Sequence, residues 1–301
     1  MTEPALIAVD WGTSSFRLWV LDHDAHVISE SRGGDGLLFA AREGFSNILL
    51  RHLTAAKAPS DRPILICGMA GARNGWVEAG YVETPAELVA ISRGAIPVPG
   101  VKRDIRILPG LCQRLAGRPD VMRGEETQLL GAASALSERS LVCMPGTHSK
   151  WVTVDEGWVE SFSTYMTGEL YDAISKHTIL AAPEKTVAEG ADSPSFKDAV
   201  RGAFAHPGRI TSQLFAARSG QLLNGATPAA ALAHISGTLI GAEIGGATGS
   251  DNRHKIRLVA SGGMRTLYES ALKTVEIAFE SIDADDAVRK GLSIAARQIW
   301  S

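Results

Sequence analysis

The segment GTSSFRLWVLD, Gly12 to Asp22, returns 134 residues later as GTHSKWVTVDE, Gly146 to Glu156. In each copy an apolar run enters a Gly-Thr turn, a second run follows, and a tight polar turn leads into a third. LIAVDW (Leu6 to Trp11) precedes the first turn, and FRLWVL (Phe16 to Leu21) and HVISES (His26 to Ser31) follow it. SLVCMPG (Ser140 to Gly146) precedes the second, with WVTVD (Trp151 to Asp155) and WVESFS (Trp158 to Ser163) after it. Runs this short, bounded by glycine and acidic turns, read as strands. Identity between the copies is low, but the element order repeats. A duplicated, hairpin-led unit is therefore predicted instead of one nucleotide-binding domain.

Between and after the hairpins the spacing predicts helices and further strands. Arg42 to Lys57 places Phe45, Ile48, Leu49 and Leu53 on one helical face. RPILICG (62–68) and RDIRILPG (103–110) read as strands. Met122 to Leu136 is expected to be one helix burying Leu129, Leu130, Ala133 and Leu136. Helices are expected over 168–176, 195–204, 211–223 and 228–244. KIRLVASGG (255–263) predicts a strand entering a glycine turn, MRTLYESALK a helix, and VEIAF (Val275 to Phe279) a last strand. A closing helix runs to Trp300 with Asp283 as its N-cap. Antiparallel hairpins joined to parallel crossovers predict an α/β fold of two similar lobes around a central cleft, each a mixed sheet flanked by helices. The expected division is 1–121 for the first lobe and 122–301 for a linker helix and second lobe.

Composition removes several classes of function. Of 301 residues, 45% are hydrophobic and 21% charged, enough apolar material for one large core or two smaller ones. Thirty Lys and Arg against 33 Asp and Glu leave no basic excess for a nucleic-acid partner. Cys67, Cys112 and Cys143 are too few for a disulfide scaffold or a four-ligand zinc site, and read as small buried hydrophobes in a reducing compartment. Glu3 and Asp10 interrupt any signal-peptide pattern. The longest stretch without Asp, Glu, Lys or Arg, Ser219 to Ala242, is diluted by Gln221, Asn224, His234 and glycines, so no membrane span is expected. A cytoplasmic protein is the expectation.

Asp10 closes the first strand directly before the Gly-Thr turn. Gly12 lets the backbone approach an anion, Thr13, Ser14 and Ser15 add hydroxyls, and Asp10 suits Mg²⁺ beside a phosphate. The plain alternative is a polar hairpin turn with Asp10 as an Asx-type residue. Pro145 to Lys150 repeats the arrangement. Ser261-Gly262-Gly263-Met264 offers a third station, where a helix N-terminus approaches a nucleotide. Neither GxGxxG nor a Walker A loop occurs in a suitable setting.

Taken together, DWGTSSFR (10–17), RGEETQLLGA (123–132), MPGTHSKWV (144–152) and VASGGMRTLY (259–268) resemble the 2-dehydro-3-deoxygalactonokinase family. That family lies in the actin-like sugar kinase and heat-shock ATPase superfamily. GMAGARNGWVEAGY (68–81) and STYMTGELYDAI (163–174) extend the resemblance over nearly the whole chain. It implies two actin-like (ribonuclease H-like) lobes and ATP- and Mg²⁺-dependent phosphorylation of 2-dehydro-3-deoxy-D-galactonate at O6. Asp10, Gly12, Thr13 and Ser14 would serve phosphate and metal; Gly146, Thr147 and Lys150 would form the second phosphate turn, and Gly262 and Gly263 would lie near adenosine. Two departures stand out. Met144 or Pro145 occupies the place of an acidic residue common in the second phosphate motif, and the usual aspartate base is not evident.

Glu125 and Glu126 resemble the acidic linker-helix start of the superfamily's exopolyphosphatases, so the base is sought there, with Glu125 placed ahead because it follows Gly124. Helix-dipole charges are the bland reading of the pair. An anionic keto acid calls for a cation. Arg73 can grip a carboxylate bidentately, while Arg17 serves either the substrate or the orientation of a phosphate-loop carboxylate. Ser163, Thr164 and Tyr165 suit sugar hydroxyls. His148 reads equally as a phosphate contact or a turn filler, and the turn His206-Pro207-Gly208-Arg209 as substrate-side or the surface of a homodimer. Two other functions stay open: an actin-like exopolyphosphatase or phosphatase, and a non-catalytic ATP-binding interaction protein.

Overall fold

The computed structural model describes residues 3–136, 138–249 and 255–300. The chain divides into two compact units. One comprises Met1–Arg139, Val154–Phe162 and Asp283–Ser301, and the other Ser140–Thr153 and Ser163–Ile282.

The first unit opens with β1 (Leu6–Trp11), β2 (Phe16–Leu21) and β3 (Val27–Gly33). Helices α1 (Leu37–Glu43) and α2 (Phe45–Ala55) lead to β4 (Ile64–Gly68). Short strands β5 (Tyr81–Glu83) and β6 (Ala86–Glu87) precede the helical turn α3 (Ala90–Arg93), which is followed by β7 (Ile96–Pro97). Then come β8 (Ile105–Ile107), β9 (Gly110–Leu115), β10 (Arg118–Met122) and α4 (Glu125–Ala132).

The main sheet runs β3-β2-β1-β4-β8-β7, and β10-β9-β5 form a small second sheet. β1 is antiparallel to β2 and parallel to β4. This register sets Asp10 opposite Arg17 on one side and Cys67 on the other, with Trp11 opposite Phe16 and Gly68. The central strands are apolar almost throughout because both faces of the sheet are covered; Ile7, Val9, Ile64 and Ile66 are fully buried. Trp11 packs edge-on against Phe16 with ring centroids 4.7 Å apart.

In the second unit β11 (Ser140–Met144), β12 (Ser149–Asp155) and β13 (Trp158–Tyr165) form the repeated hairpin, whose 154–162 tip belongs to the first unit. Helices α5 (Thr167–His177), α6 (Pro194–Ala205), α7 (Ile210–Leu223) and α8 (Pro228–Thr248) follow. β14 (Ile256–Ala260), α9 (Gly262–Thr274) and β15 (Phe279–Asp283) complete it. The last helix, α10 (Ala284–Trp300), returns to the first unit. The strand order β15-β14-β11-β12-β13, with β11 parallel to β14, repeats the order β8-β4-β1-β2-β3. The duplication is therefore one of fold: each unit is α/β, with three hairpin strands followed by crossover strands.

Several predicted elements shift. The single helix expected over 42–57 is two, broken where Gly44 adopts a φ of +90°, a conformation that glycine tolerates best. Met122 ends β10 instead of opening a helix; Gly124, at φ +109°, turns the chain into α4, which gives way to a 3₁₀ turn after Ala132. VEIAF is not a strand. Val275 caps α9 and Glu276 has φ +56°, so β15 begins at Phe279. The β9–β10 hairpin was not expected, since Pro119 and the flanking charges hide its alternation. Asp283 does cap α10, its Oδ1 accepting the Asp286 N–H at 3.0 Å.

Two helix crossings rely on missing side chains. α8 carries Gly237, Gly241 and Gly245 on one stripe; a Cβ there would fall 2.4–2.7 Å from the carbonyl oxygens of Phe196, Val200 and Phe204 on α6. α8 is buried from Ala231 to Gly245 apart from two half-buried positions, which accounts for its near-absence of charge. Among the described residues no helix is long and apolar enough to cross a membrane.

α4 meets α10 in the same way. A Cβ on Gly291 would lie 1.9 Å from Thr127 O, and one on Gly131 would lie 1.8 Å from Ala287 O. Helix propensity alone favours alanine over glycine by about 1 kcal/mol. Gly291→Ala is nevertheless expected to lower stability by about 2 kcal/mol, because the obstacle is backbone and the helices must part. Urea unfolding measures this, and a net stabilisation would contradict the crossing.

Candidate active site

The first Gly-Thr turn is held from behind. Gly12 N–H donates to Ser15 O at 2.8 Å, and Leu37 N–H to Gly12 O at 3.0 Å. Gly36 lies flat against the turn, where a Cβ would fall 2.3 Å from Thr13 O and 2.5 Å from Ser14 Cα. The loop that carries it is anchored through Asp35. Its carboxylate meets Arg51 at 2.6 Å and His52 Nε2 at 2.8 Å, and its carbonyl accepts the Trp11 indole N–H at 3.0 Å. Thr13 and Ser14 stay exposed. The turn is thus rigid on one side and open on the other, the requirement for an anion-binding turn.

Asp10, 17% exposed, sits at its base. Arg17 Nε stands 3.9 Å from Oδ2, and the Cys67 thiol approaches Oδ1 at 3.8 Å. Arg17 is shared: one guanidinium nitrogen makes a short bond to Asp285 on α10, whose other oxygen takes Arg32 at 3.0 Å. Burial raises the Asp10 pKa; Arg17 opposes the rise and the Asp285 charge adds to it. Cys67 is also raised well above an ordinary thiol, first by burial and then by the charges of Asp10 and Glu126. Cys67 therefore stays a neutral, buried thiol against Asp10.

Glu125 and Glu126 open α4 and diverge, as consecutive helical residues must. Glu125 is half-buried, its Oε2 accepting Arg123 N–H at 3.1 Å. Glu126 is 0% exposed; Oε2 accepts Gly124 N–H at 2.6 Å and Oε1 the Thr127 hydroxyl at 3.0 Å. Arg123 fixes this corner through Ala79 O and Gly80 O, with its guanidinium 4.4 Å from the Tyr81 ring centroid. Burial, reinforced by the Glu125 charge, pushes Glu126 from 4.5 to about 8. Between those values the native state holds a proton that the unfolded chain has released, so stability must fall as pH rises. Glu126→Gln removes the titration. Its melting temperature should fall less than that of the unaltered protein between pH 5 and pH 8, and parallel curves would contradict the buried acid.

The second unit holds the other predicted stations. Gly146 is half-buried and Thr147 and His148 exposed, whereas Lys150 lies within β12 at 5% exposure. His148 Nε2 meets Glu169 Oε2 at 2.5 Å, and Glu169 N–H donates to Thr147 O at 3.0 Å, fastening the turn to the start of α5. Gly262 and Gly263 are exposed at the start of α9, and a Cβ on either would meet nothing. Beside them is a mostly apolar pocket of about 180 Å³ whose walls include Tyr171, Phe196, Ile240, Met264 and Leu267. Ser163 is exposed and Thr164 half-buried; Tyr165 is half-buried against α8, where a Cβ on Gly246 would lie 3.5 Å from Oη. Arg73 does not join Asp10's carboxylate network. Its side chain is 90% exposed and 3.6 Å from Glu78.

Sequence alone does not bring Gly36, Cys67, Asp285 or Glu243 to these sites. The run Gly33-Gly34-Asp35-Gly36 was a usable turn signal, and Glu243 is a lone carboxylate at the end of a long uncharged stretch. Cys67 and Asp285 carry no local signal, since strand register and chain return bring them in.

Comparison with known proteins points one way. The family described as 2-keto-3-deoxy-galactonokinase matches residues 10–295. A Rhizobium meliloti (strain 1021) protein, provisionally named 2-dehydro-3-deoxygalactonokinase DgoK1, is 56% identical over 298 residues, covering 97% of both chains. The 2-dehydro-3-deoxygalactonokinase of Escherichia coli (strain K12) is 32% identical over 296 residues, covering 97% of this chain and 98% of its own. A crystal structure from Sinorhizobium meliloti, with the same provisional kinase name, superposes with a TM-score of 0.93 at 55% identity, covering 98% of this chain and 99% of its own.

Proposed function

The chain belongs to the 2-keto-3-deoxy-galactonokinase family, and from that premise we propose how its residues divide the work of a kinase. It is an ATP-dependent sugar kinase with two actin-like, ribonuclease H-like units, acting on 2-dehydro-3-deoxy-D-galactonate. We assign the acceptor oxygen as O6 and the products as 2-dehydro-3-deoxy-6-phospho-D-galactonate and ADP. The observation that carries the site assignment is Asp10, a partly exposed carboxylate at the base of a braced turn with two open hydroxyls.

Mg²⁺ beside a nucleotide takes one or two carboxylates and keeps water for the rest of its shell. Asp10 fits that demand; among the described residues no group of three or more His, Cys, Asp and Glu forms a dedicated metal cage. When bound, the ion offsets charge on the phosphoryl oxygens. In the first unit Gly12, Thr13 and Ser14 are assigned to phosphate, and in the second Gly146 and Thr147, with Lys150 behind them in β12. Gly262 and Gly263 border adenosine, with the apolar pocket at Met264 and Leu267 for the base.

Arg17, engaged by Asp10 and Asp285, orients Asp10. Arg73, exposed, meets the sugar-acid carboxylate, and Ser163, Thr164 and Tyr165 its hydroxyls. Glu126 is the general base in preference to Glu125. It shares the surroundings of Cys67 with Asp10; fully buried beneath the start of α4, it takes the proton only once that turn opens to the acceptor hydroxyl, and a pKa of about 8 then suits transfer near neutral pH. The acceptor oxygen bonds to the γ-phosphorus as the bond to the β,γ-bridging oxygen breaks, and the hydroxyl proton passes to Glu126. A reducing cytoplasm suits the three buried free cysteines.

ADP release with ATP, Mg²⁺ and a panel of 2-keto-3-deoxy sugar acids tests the assignment. Release that depends on the acceptor is expected. Phosphate release without an acceptor would revive the phosphatase reading, and ATP binding without turnover the non-catalytic one.

A further inference from the structure

Three elements of the second unit converge on one carboxylate that belongs to a fourth. Glu243, on α8, is 2% exposed. Its Oε1 accepts the Trp151 indole N–H at 2.8 Å; Oε2 accepts the Tyr268 hydroxyl at 2.8 Å and a short bond from Thr167 Oγ1. Ser149 Oγ lies 3.0 Å from Tyr268 Oη and closes the network. Burial raises the Glu243 pKa, while Thr167, Trp151, Tyr268 and Ser149 oppose the rise.

The donors neighbour the nucleotide stations. Ser149 follows His148 in the second Gly-Thr turn. Thr167 precedes Gly168, where a Cβ would fall 2.6 Å from Gly146 O and 2.8 Å from Thr147 Cα. Tyr268 lies on α9, whose first residues are Gly262 and Gly263. Apolar packing would hold these elements together without fixing their spacing, because it is not directional. Hydrogen bonds to one carboxylate do fix it, within the tolerance that a phosphate site needs.

We propose that Glu243 is a positioning residue that sets the second Gly-Thr turn against the start of α9, and so controls affinity for the nucleotide's phosphates. The proposal rests on the kinase reading above. It separates phosphates from base, since the turn would meet the former and the Met264 pocket the latter.

The test compares ATP and adenosine binding by calorimetry, with KM for ATP and for the sugar acid, in Glu243→Gln and Tyr268→Phe. Glu243→Gln should weaken ATP roughly tenfold, with adenosine affinity and the sugar-acid KM within about twofold of normal. Tyr268→Phe, which removes one donor, should shift ATP in the same direction by about threefold. Should Glu243→Gln fail to fold, Tyr268→Phe carries the test. Folded variants that weaken ATP and adenosine equally, or neither, would overturn the proposal while leaving the kinase reading intact. A wild-type protein that binds no ATP would overturn that reading and this proposal with it.

Discussion

Replacing Asp10 with asparagine is expected to lower turnover about a hundredfold, a loss of about 3 kcal/mol of transition-state stabilisation, without harming the fold. The size is that of one electrostatic contact to the reacting phosphoryl group. Stability should hold or rise. Burial lifts the Asp10 pKa in the folded protein, so its charge opposes folding above the ordinary carboxylate range, and a neutral amide of the same shape removes that penalty. Turnover at saturating Mg²⁺, measured with the melting temperature, separates the two effects. A variant retaining more than roughly half of normal turnover would reject Asp10 as the metal and phosphate residue.

The second large effect concerns the adjacent glutamates. Glu126→Gln should slow pre-steady-state phosphoryl transfer about a hundredfold or more, within the usual range for a general base. It should also abolish a rise in rate toward pH 8, where Glu126 loses its proton. Glu125→Gln should stay within a few fold, because that half-buried carboxylate is engaged as a cap on Arg123 N–H. ATP affinity should change little in either variant. A large effect in Glu125→Gln alone would move the assignment back one residue. Small, equal effects would return the pair to a helix-dipole role.

How far these residues were legible depends on the range of the signal. The hairpin strands read directly because alternation and the Gly-Thr turns are local, and Asp10 followed from them. Gly44 hid a helix break inside an otherwise sound apolar stripe, since only its φ of +90° reveals the turn. VEIAF has strand composition, but Val275 and Glu276 are consumed in ending α9. Within the site, Cys67 reaches Asp10 through parallel strand register across 57 positions, and Asp285 arrives on the last helix. Neither contact leaves a periodic trace. Glu243 was a lone charge on a buried helix, and only packing could show that its partners gather from β12, α5 and α9.

The central claim is transfer of the γ-phosphoryl group of ATP to the primary alcohol of a 2-keto-3-deoxy sugar acid. Phosphorus NMR of the protein with ATP, Mg²⁺ and 2-dehydro-3-deoxy-D-galactonate tests it most directly. One new phosphomonoester, coupled to two methylene protons and formed in step with ADP, is the predicted result. Inorganic phosphate alone, an ester on a secondary carbon, or no conversion by folded protein that binds ATP would contradict it.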